Sequence, residues 1–220
     1  MINVILFSLA QNNDYSLKRL VDDLEMVTQD DTQGIHVQEY DDTFLKATYW
    51  QKKYRKGYRY NIEIKDFEVV EEEIVNIADF GIQIFEGKLL VFGNKQMAQK
   101  IITIIGIASK NSYVITEYVI NIENLVKRIC KNKDIELIKM KLVDITLDKG
   151  LLVNCDVNLL TQDNPNEIVM KYISNIVVIS FKFEKMLSNI TIYKSGKFSI
   201  SKIDIEDKDE MIQKIIEITC

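Results

Sequence analysis

The chain is expected to fold as an α+β protein. The expected plan is two tandem strand–helix–antiparallel sheet–helix repeats, sharing one curved sheet with the helices on one face. Three observations predict this. Lys18-Arg19 recurs as Lys127-Arg128 and Gly87-Lys88 as Gly196-Lys197, at the same offset in both cases, and each Gly-Lys is followed by a near-identical helical phrase, Met97–Ile102 and Met211–Ile216. Matched offsets of this kind mark internal duplication. Alternating apolar runs beside few helical stretches fit an antiparallel sheet better than a doubly wound one. With 47% hydrophobic residues and only one proline and eight glycines, the chain has material for a core and little for long irregular loops.

Taken in order, residues 2–9 are a short apolar run that predicts a buried strand. Residues 15–26 carry Leu17, Leu20, Val21 and Leu24 at helical spacing. A long β-rich stretch follows over 35–93, with breaks expected near Gly57 and Gly81. It ends in a hairpin of Ile82–Phe85 and Lys88–Gly93 turning at Glu86-Gly87. A helix is predicted over 95–108. The second copy repeats this order: a strand over 113–120, a helix over 122–130, and a hairpin of 135–145 with 151–160 turning at Asp148–Gly150. Pro165 predicts the first turn of an extra helix over 165–174. Strands over 176–183, 190–193 and 197–201 precede a final helix over 206–218. The acids of 204–209 suit the positive N-terminal end of that helix. The two repeats are expected at 1–110 and 111–220.

The opening apolar run is too short to span a bilayer and has no basic leader, so no membrane association is expected. Three cysteines without metal-like spacing point to a reducing compartment, cytoplasm or nucleus. The net charge of −5 gives no global pull toward nucleic acid, so the distribution of charge matters more than its sum.

The strongest local feature is Tyr49–Tyr60. It contains five basic residues (Lys52, Lys53, Arg55, Lys56, Arg59), five aromatic residues (Tyr49, Trp50, Tyr54, Tyr58, Tyr60) and no acid. Basic groups neutralise phosphates and aromatic faces stack on bases. The same composition also suits a solvated edge strand guarded by charge, or a surface for an acidic protein.

The element order and the two hairpin phrases, Ile84–Gly93 and Ile192–Ser201, resemble the TATA-box-binding protein family, a two-repeat saddle. That family's repeat ends in a Leu-Ile-Phe-Ser-Ser-Gly-Lys hairpin followed by a long helix, and begins with an Asn-bearing strand similar to that of Asn3. The second copy departs from the pattern, with Ser112 in the place of Asn3. The resemblance implies a non-enzymatic, transcription-type protein whose concave sheet lies against duplex DNA. The wedge positions then fall at Phe85 and, more loosely, Phe67 in the first copy, and at Tyr193 and Ile176 in the second, which loses its second wedge aromatic. Lys88 and Lys197 would meet the two phosphate backbones, and Phe92 would be core. Shape readout in the minor groove would replace a base code. An alternative is a docking subunit that meets protein partners and no nucleic acid.

Catalytic signals are sparse. His36 is the sole histidine and has no nucleophile motif beside it. Glu71–Glu73 and Asp204–Asp209 offer oxygens, but runs of acids usually form solvated faces. No phosphate loop, dinucleotide fingerprint or zinc spacing is present, so no cofactor, metal or enzymatic activity is expected. Acids gathered only in space, as in a metal-dependent nuclease, are a weaker third reading. The nucleic-acid reading predicts binding that weakens as salt rises, which a gel-shift titration over ionic strength measures.

Overall fold

The computed structural model describes residues 1–12, 15–27, 31–148, 150–184, 186, 188–201 and 208–219. These residues form an α+β protein with one open antiparallel sheet of eleven strands and five helices. The chain divides into two compact units, one of Phe7–Thr116 and the other of Met1–Leu6 with Glu117–Cys220.

The first strand, β1 (Ile2–Gln11), contributes to both units. The rest of the Phe7–Thr116 unit comprises α1 (Leu17–Val27), β2 (Gln33–Tyr40), β3 (Phe44–Asn61), β4 (Asp66–Gln83), β5 (Lys88–Phe92), α2 (Lys95–Ala108) and most of β6 (Tyr113–Glu117). The other unit comprises α3 (Ile122–Lys131), β7 (Ile135–Asp148), β8 (Leu151–Asn158), α4 (Pro165–Lys171), a 3-10 turn at Ile173–Asn175, β9 (Ile176–Phe183), β10 (Asn189–Tyr193), β11 (Lys197–Ser201) and α5 (Lys208–Thr219). The strand order is β2-β3-β4-β5-β1-β11-β10-β9-β7-β8, with β6 also pairing β1. The expected acidic start of the last helix, 204–207, lies outside the described residues.

Local chemistry accounts for the helix starts. The Asn94 side chain accepts a hydrogen bond from the Met97 amide, and Asn121 accepts one from the Asn124 amide, so an asparagine caps α2 and α3. Pro165 opens α4, where its missing N–H costs nothing.

Register separates a core face from an outer face in each unit. In the first, Leu45, Ala47 and Tyr49 pair with Ile82, Phe80 and Ala78, and Ile82 and Phe80 pair with Leu89 and Val91. All are buried, as are Leu20 and Leu24 of α1 and Ile101 and Ile105 of α2. In the second, Val4, Phe198, Ile192 and Ile179 line up across four strands and are buried, as are Leu125 and Ile129 of α3 and Ile215 of α5. Its outer face is polar: Asn3, Ser199, Thr191 and Ser180 follow one another, and the last two share a hydroxyl hydrogen bond of 2.8 Å.

The breaks expected at Gly57 and Gly81 do not occur. Both glycines sit inside continuous ladders, Gly57 opposite Val70 and Gly81 between Lys46 and Leu90, and neither has a positive φ. The chain turns instead at 62–65, where Lys65 takes φ 54°.

Gly87 (φ +58°) and Gly196 (φ +80°) do turn the chain. The Gly87 amide donates to the Ile84 carbonyl at 3.0 Å, and the Gly87 carbonyl accepts from the Leu9 amide at 2.7 Å. The Gly196 amide donates to the Tyr193 carbonyl at 3.1 Å, and its own carbonyl accepts from the Leu6 amide at 3.0 Å. A Cβ on Gly196 would lie 2.2 Å from the Tyr118 carbonyl oxygen, whereas a Cβ on Gly150 (φ +82°) would meet nothing within 4 Å. The two positions share a φ and differ only in space. Gly150→Ala is therefore expected to cost about 1 kcal/mol, the left-handed backbone penalty alone. Gly196→Ala adds a backbone collision and is expected to cost about 3 kcal/mol or more. Urea unfolding of both variants measures the difference.

A candidate docking arm built by β3 and β4

The β3–β4 ladder runs from Phe44↔Gln83 to Asn61↔Asp66 without a register shift. β2 leaves β3 at the Gln33↔Gln51 pair, and β5 leaves β4 at Asp79↔Phe92. Beyond Lys52, whose amide donates to the Thr32 carbonyl at 2.7 Å, the ribbon has only two strands among the described residues. At about 3.4 Å per residue, the free segment from Lys52↔Val75 to Asn61↔Asp66 is about 30 Å long.

Directly opposed residues in an antiparallel ladder share a face, and faces alternate along each strand. One face of the arm continues the core face: Gln51, Lys53, Arg55, Gly57 and Arg59 from β3, with Asn76, Ile74, Glu72, Val70 and Glu68 opposite. The Lys100 ammonium on α2 donates to the Gln51 side chain, which places α2 on this side. Burial and the neighbouring Lys53 both lower the Lys100 pKa. The other face carries Trp50, Lys52, Tyr54, Lys56, Tyr58 and Tyr60 over Ile77, Val75, Glu73, Glu71, Val69 and Phe67.

This second face is the unusual one. Tyr54, Tyr58, Tyr60 and Phe67 are 65, 79, 51 and 65% exposed, and Val69 and Ile77 are also largely exposed. The Tyr60 and Phe67 rings meet edge to face at 5.3 Å between centroids. At the base, Trp50 stands opposite Gly34, where a Cβ would lie 2.7 Å from the indole. Four aromatics at half exposure or more present on the order of 400–500 Å². The Lys56–Glu71 pair separates Tyr54 from the cluster of Tyr58, Tyr60, Phe67 and Val69, and exposed apolar surface of that extent marks an interaction surface more often than plain solvent-facing strand.

The charges of the arm cancel. Residues 52–75 hold six cations (Lys52, Lys53, Arg55, Lys56, Arg59, Lys65) and six acids (Glu63, Asp66, Glu68, Glu71, Glu72, Glu73). The register sets Arg55 opposite Glu72, Lys56 opposite Glu71 and Arg59 opposite Glu68. Lys52 lies 3.6 Å from Glu73, and Lys56 lies 3.7 Å from Glu71. The basic run read from the sequence thus has an acidic strand as its direct neighbour, supplied by the Glu71–Glu73 run.

The other expected site residues are dispersed. Tyr49 is fully buried on the core face and donates to the Gln33 side chain at 2.9 Å. Lys88 is only 6% exposed, a poor position for gripping phosphate. It shares the outer face with Tyr54 and Tyr58, whereas Lys53, Arg55 and Arg59 point to the core side. Phe85, in the β4–β5 turn, is 85% exposed. In the other unit Tyr193 is half-buried with the Lys197 ammonium 5.3 Å from its ring centroid, and Ile176 is buried. His36 is exposed on β2. Among the described residues, no group of three or more His, Cys, Asp or Glu side chains could hold a metal ion, and no helix is long and apolar enough to cross a membrane. A cleft of about 470 Å³ in the second unit is lined by Asp134, Glu184, Lys214 and Glu217 together with Arg128, whose guanidinium donates to the Glu217 and Ile218 carbonyls at the end of α5. Its mixed charges favour no one ligand class.

Neither the known protein-family patterns nor the curated protein sequences contain a match to this chain.

Two tyrosines beneath α1 and α2 carry the largest titration shifts. Burial raises Tyr113 from 10.0 to about 12, and its hydroxyl donates to the Tyr15 carbonyl at 2.9 Å. Burial, then the hydrogen bond to Asp23, pushes Tyr15 higher still. Both groups hold their protons more tightly folded than unfolded. The stability they carry is full below about pH 10 and is lost as pH climbs toward the folded values. Unfolding midpoints are therefore expected to fall between about pH 10 and about pH 12, and Tyr113→Phe is expected to flatten that fall.

Proposed function

We propose that this chain is a docking subunit whose β3–β4 arm seats its aromatic face against a protein partner. The single observation that carries this reading is an exposed aromatic–aliphatic face on a ribbon whose charges are neutralised within the ribbon. Nucleic-acid affinity depends mainly on cations that release counterions from phosphate. Six acids beside six cations remove that term, while the apolar contribution to a protein interface stays intact. A bare two-stranded ribbon is also only marginally stable in water, and a partner on one face would supply a third layer.

The two-repeat reading has its own support. The Gly87 and Gly196 turns make the same pair of backbone hydrogen bonds, and each is followed by one strand and then a helix. A saddle similar to the TATA-box-binding protein family is compatible with the order β2-β3-β4-β5-β1. One observation favours a DNA-binding use of such a saddle: Phe85, the expected wedge, is 85% exposed. The opposite facing of Lys88 and Arg55 counts against a single phosphate-gripping surface.

Co-purification distinguishes the two uses. Tyr58→Ser and Phe67→Ser are each expected to weaken a stoichiometric protein partner by about 10- to 100-fold, as central interface aromatics do. Reversing Lys53 and Arg55, which lie on the opposite face, to Glu is expected to leave that partner in place. A salt-dependent gel shift abolished by Phe85→Ala, with no partner lost on Tyr58→Ser, would transfer the function to DNA.

A further inference from the structure

Resting on the docking reading, we infer that the partner seated on the arm is a second copy of this chain, packed face to face about a twofold axis parallel to the strands. Charge selects the arrangement. The arm has two free edges, and each carries one sign: Lys52, Lys53, Arg55, Lys56 and Arg59 on β3, and Asp66, Glu68, Glu71, Glu72 and Glu73 on β4. Twofold pairing of β3 with β3, or of β4 with β4, sets like charges side by side and is rejected. Pairing β3 with the β4 of another copy is head-to-tail and builds a ring or an open filament, not a twofold dimer.

Face packing closes, and the charges choose its axis. An axis across the strands lays β3 over β3 and Lys56 over Lys56. An axis along the strands lays β3 over β4. Lys56 then meets Glu71 of the second copy, and Lys52 approaches Glu73 of the second copy. Tyr58 covers Val69 of the second copy and Tyr60 covers Phe67 of the second copy. Both copies make the same contacts, as an isologous interface requires. The four aromatics with Val69, Val75 and Ile77 approach the roughly 800 Å² per partner of a standard interface.

Analytical ultracentrifugation of the full chain tests this. At about 10 µM the wild type is expected to sediment as a dimer. Lys56→Glu alone brings the introduced carboxylate against Glu71 of the second copy. Glu71→Lys alone brings the introduced ammonium against Lys56 of the second copy. Each is expected to weaken dimerisation by about tenfold or more. An equimolar mixture of the two variants places opposite charges across the interface again and is expected to recover the dimer, which also rules out misfolding as the cause. A monomeric wild type, a dimer indifferent to either reversal, or a mixture that stays monomeric overturns the inference. The docking reading fails separately: it falls only if Tyr58→Ser and Phe67→Ser also leave every stoichiometric partner unchanged.

Discussion

The unbroken register of β3 against β4 is the constraint on which the rest of the first unit depends. Because the side-chain period of a strand is two, one extra residue anywhere along the ladder would exchange its faces beyond that point. No such insertion occurs between Phe44↔Gln83 and Asn61↔Asp66. The parity that buries Leu45, Ala47 and Tyr49 under α2 therefore also decides, far from the core, that Tyr54, Tyr58 and Tyr60 share the opposite face. β7 behaves differently: its register shifts near Leu137, Leu142 and Thr146, so faces set at one end do not persist to the other. A bulged ribbon adapts locally, whereas the β3–β4 ribbon transmits a choice made in the core over its whole length.

Much of this was legible in the amino-acid sequence, and the failures have physical causes. Helical spacing of Leu17, Leu20, Val21 and Leu24 located α1, and the Pro165 start located α4. The hairpins at Gly87 and Gly196 were readable because both positions need a positive φ. The same logic misled at Gly57 and Gly81, where glycine occupies extended backbone that any residue could adopt. The true reversal at 62–65 contains no glycine or proline, so it left no composition signal.

The candidate site was half legible for a related reason. The alternation of aromatic and basic residues after Trp50 already encoded two faces. What the linear order hid was the partner strand. Glu71–Glu73 reads as a solvated acidic run until the register sets it against Lys56, Arg55 and Tyr54. A basic patch defined along the chain is a property of one strand, whereas a ligand meets both strands at once. Tyr49 belongs to the same lesson: one residue before Trp50, it faces the core and hydrogen-bonds within it.

The pairing of β1 with β11 has a consequence for how the molecule is made. Ile2–Ile5 align with Lys197–Ile200, so two segments almost the whole chain apart lie side by side. During synthesis, residues 2–5 are made 192 to 198 residues before the partners they pair with. At roughly 5–20 residues per second that interval is on the order of ten seconds or more. Throughout it, an apolar strand edge stays open to any other nascent chain. The second unit cannot close around a local nucleus, because it waits for its own beginning. Such contacts slow folding and lengthen the period of aggregation risk. The cell's folding machinery would meet this chain as a long-lived open edge before it met it as a finished sheet.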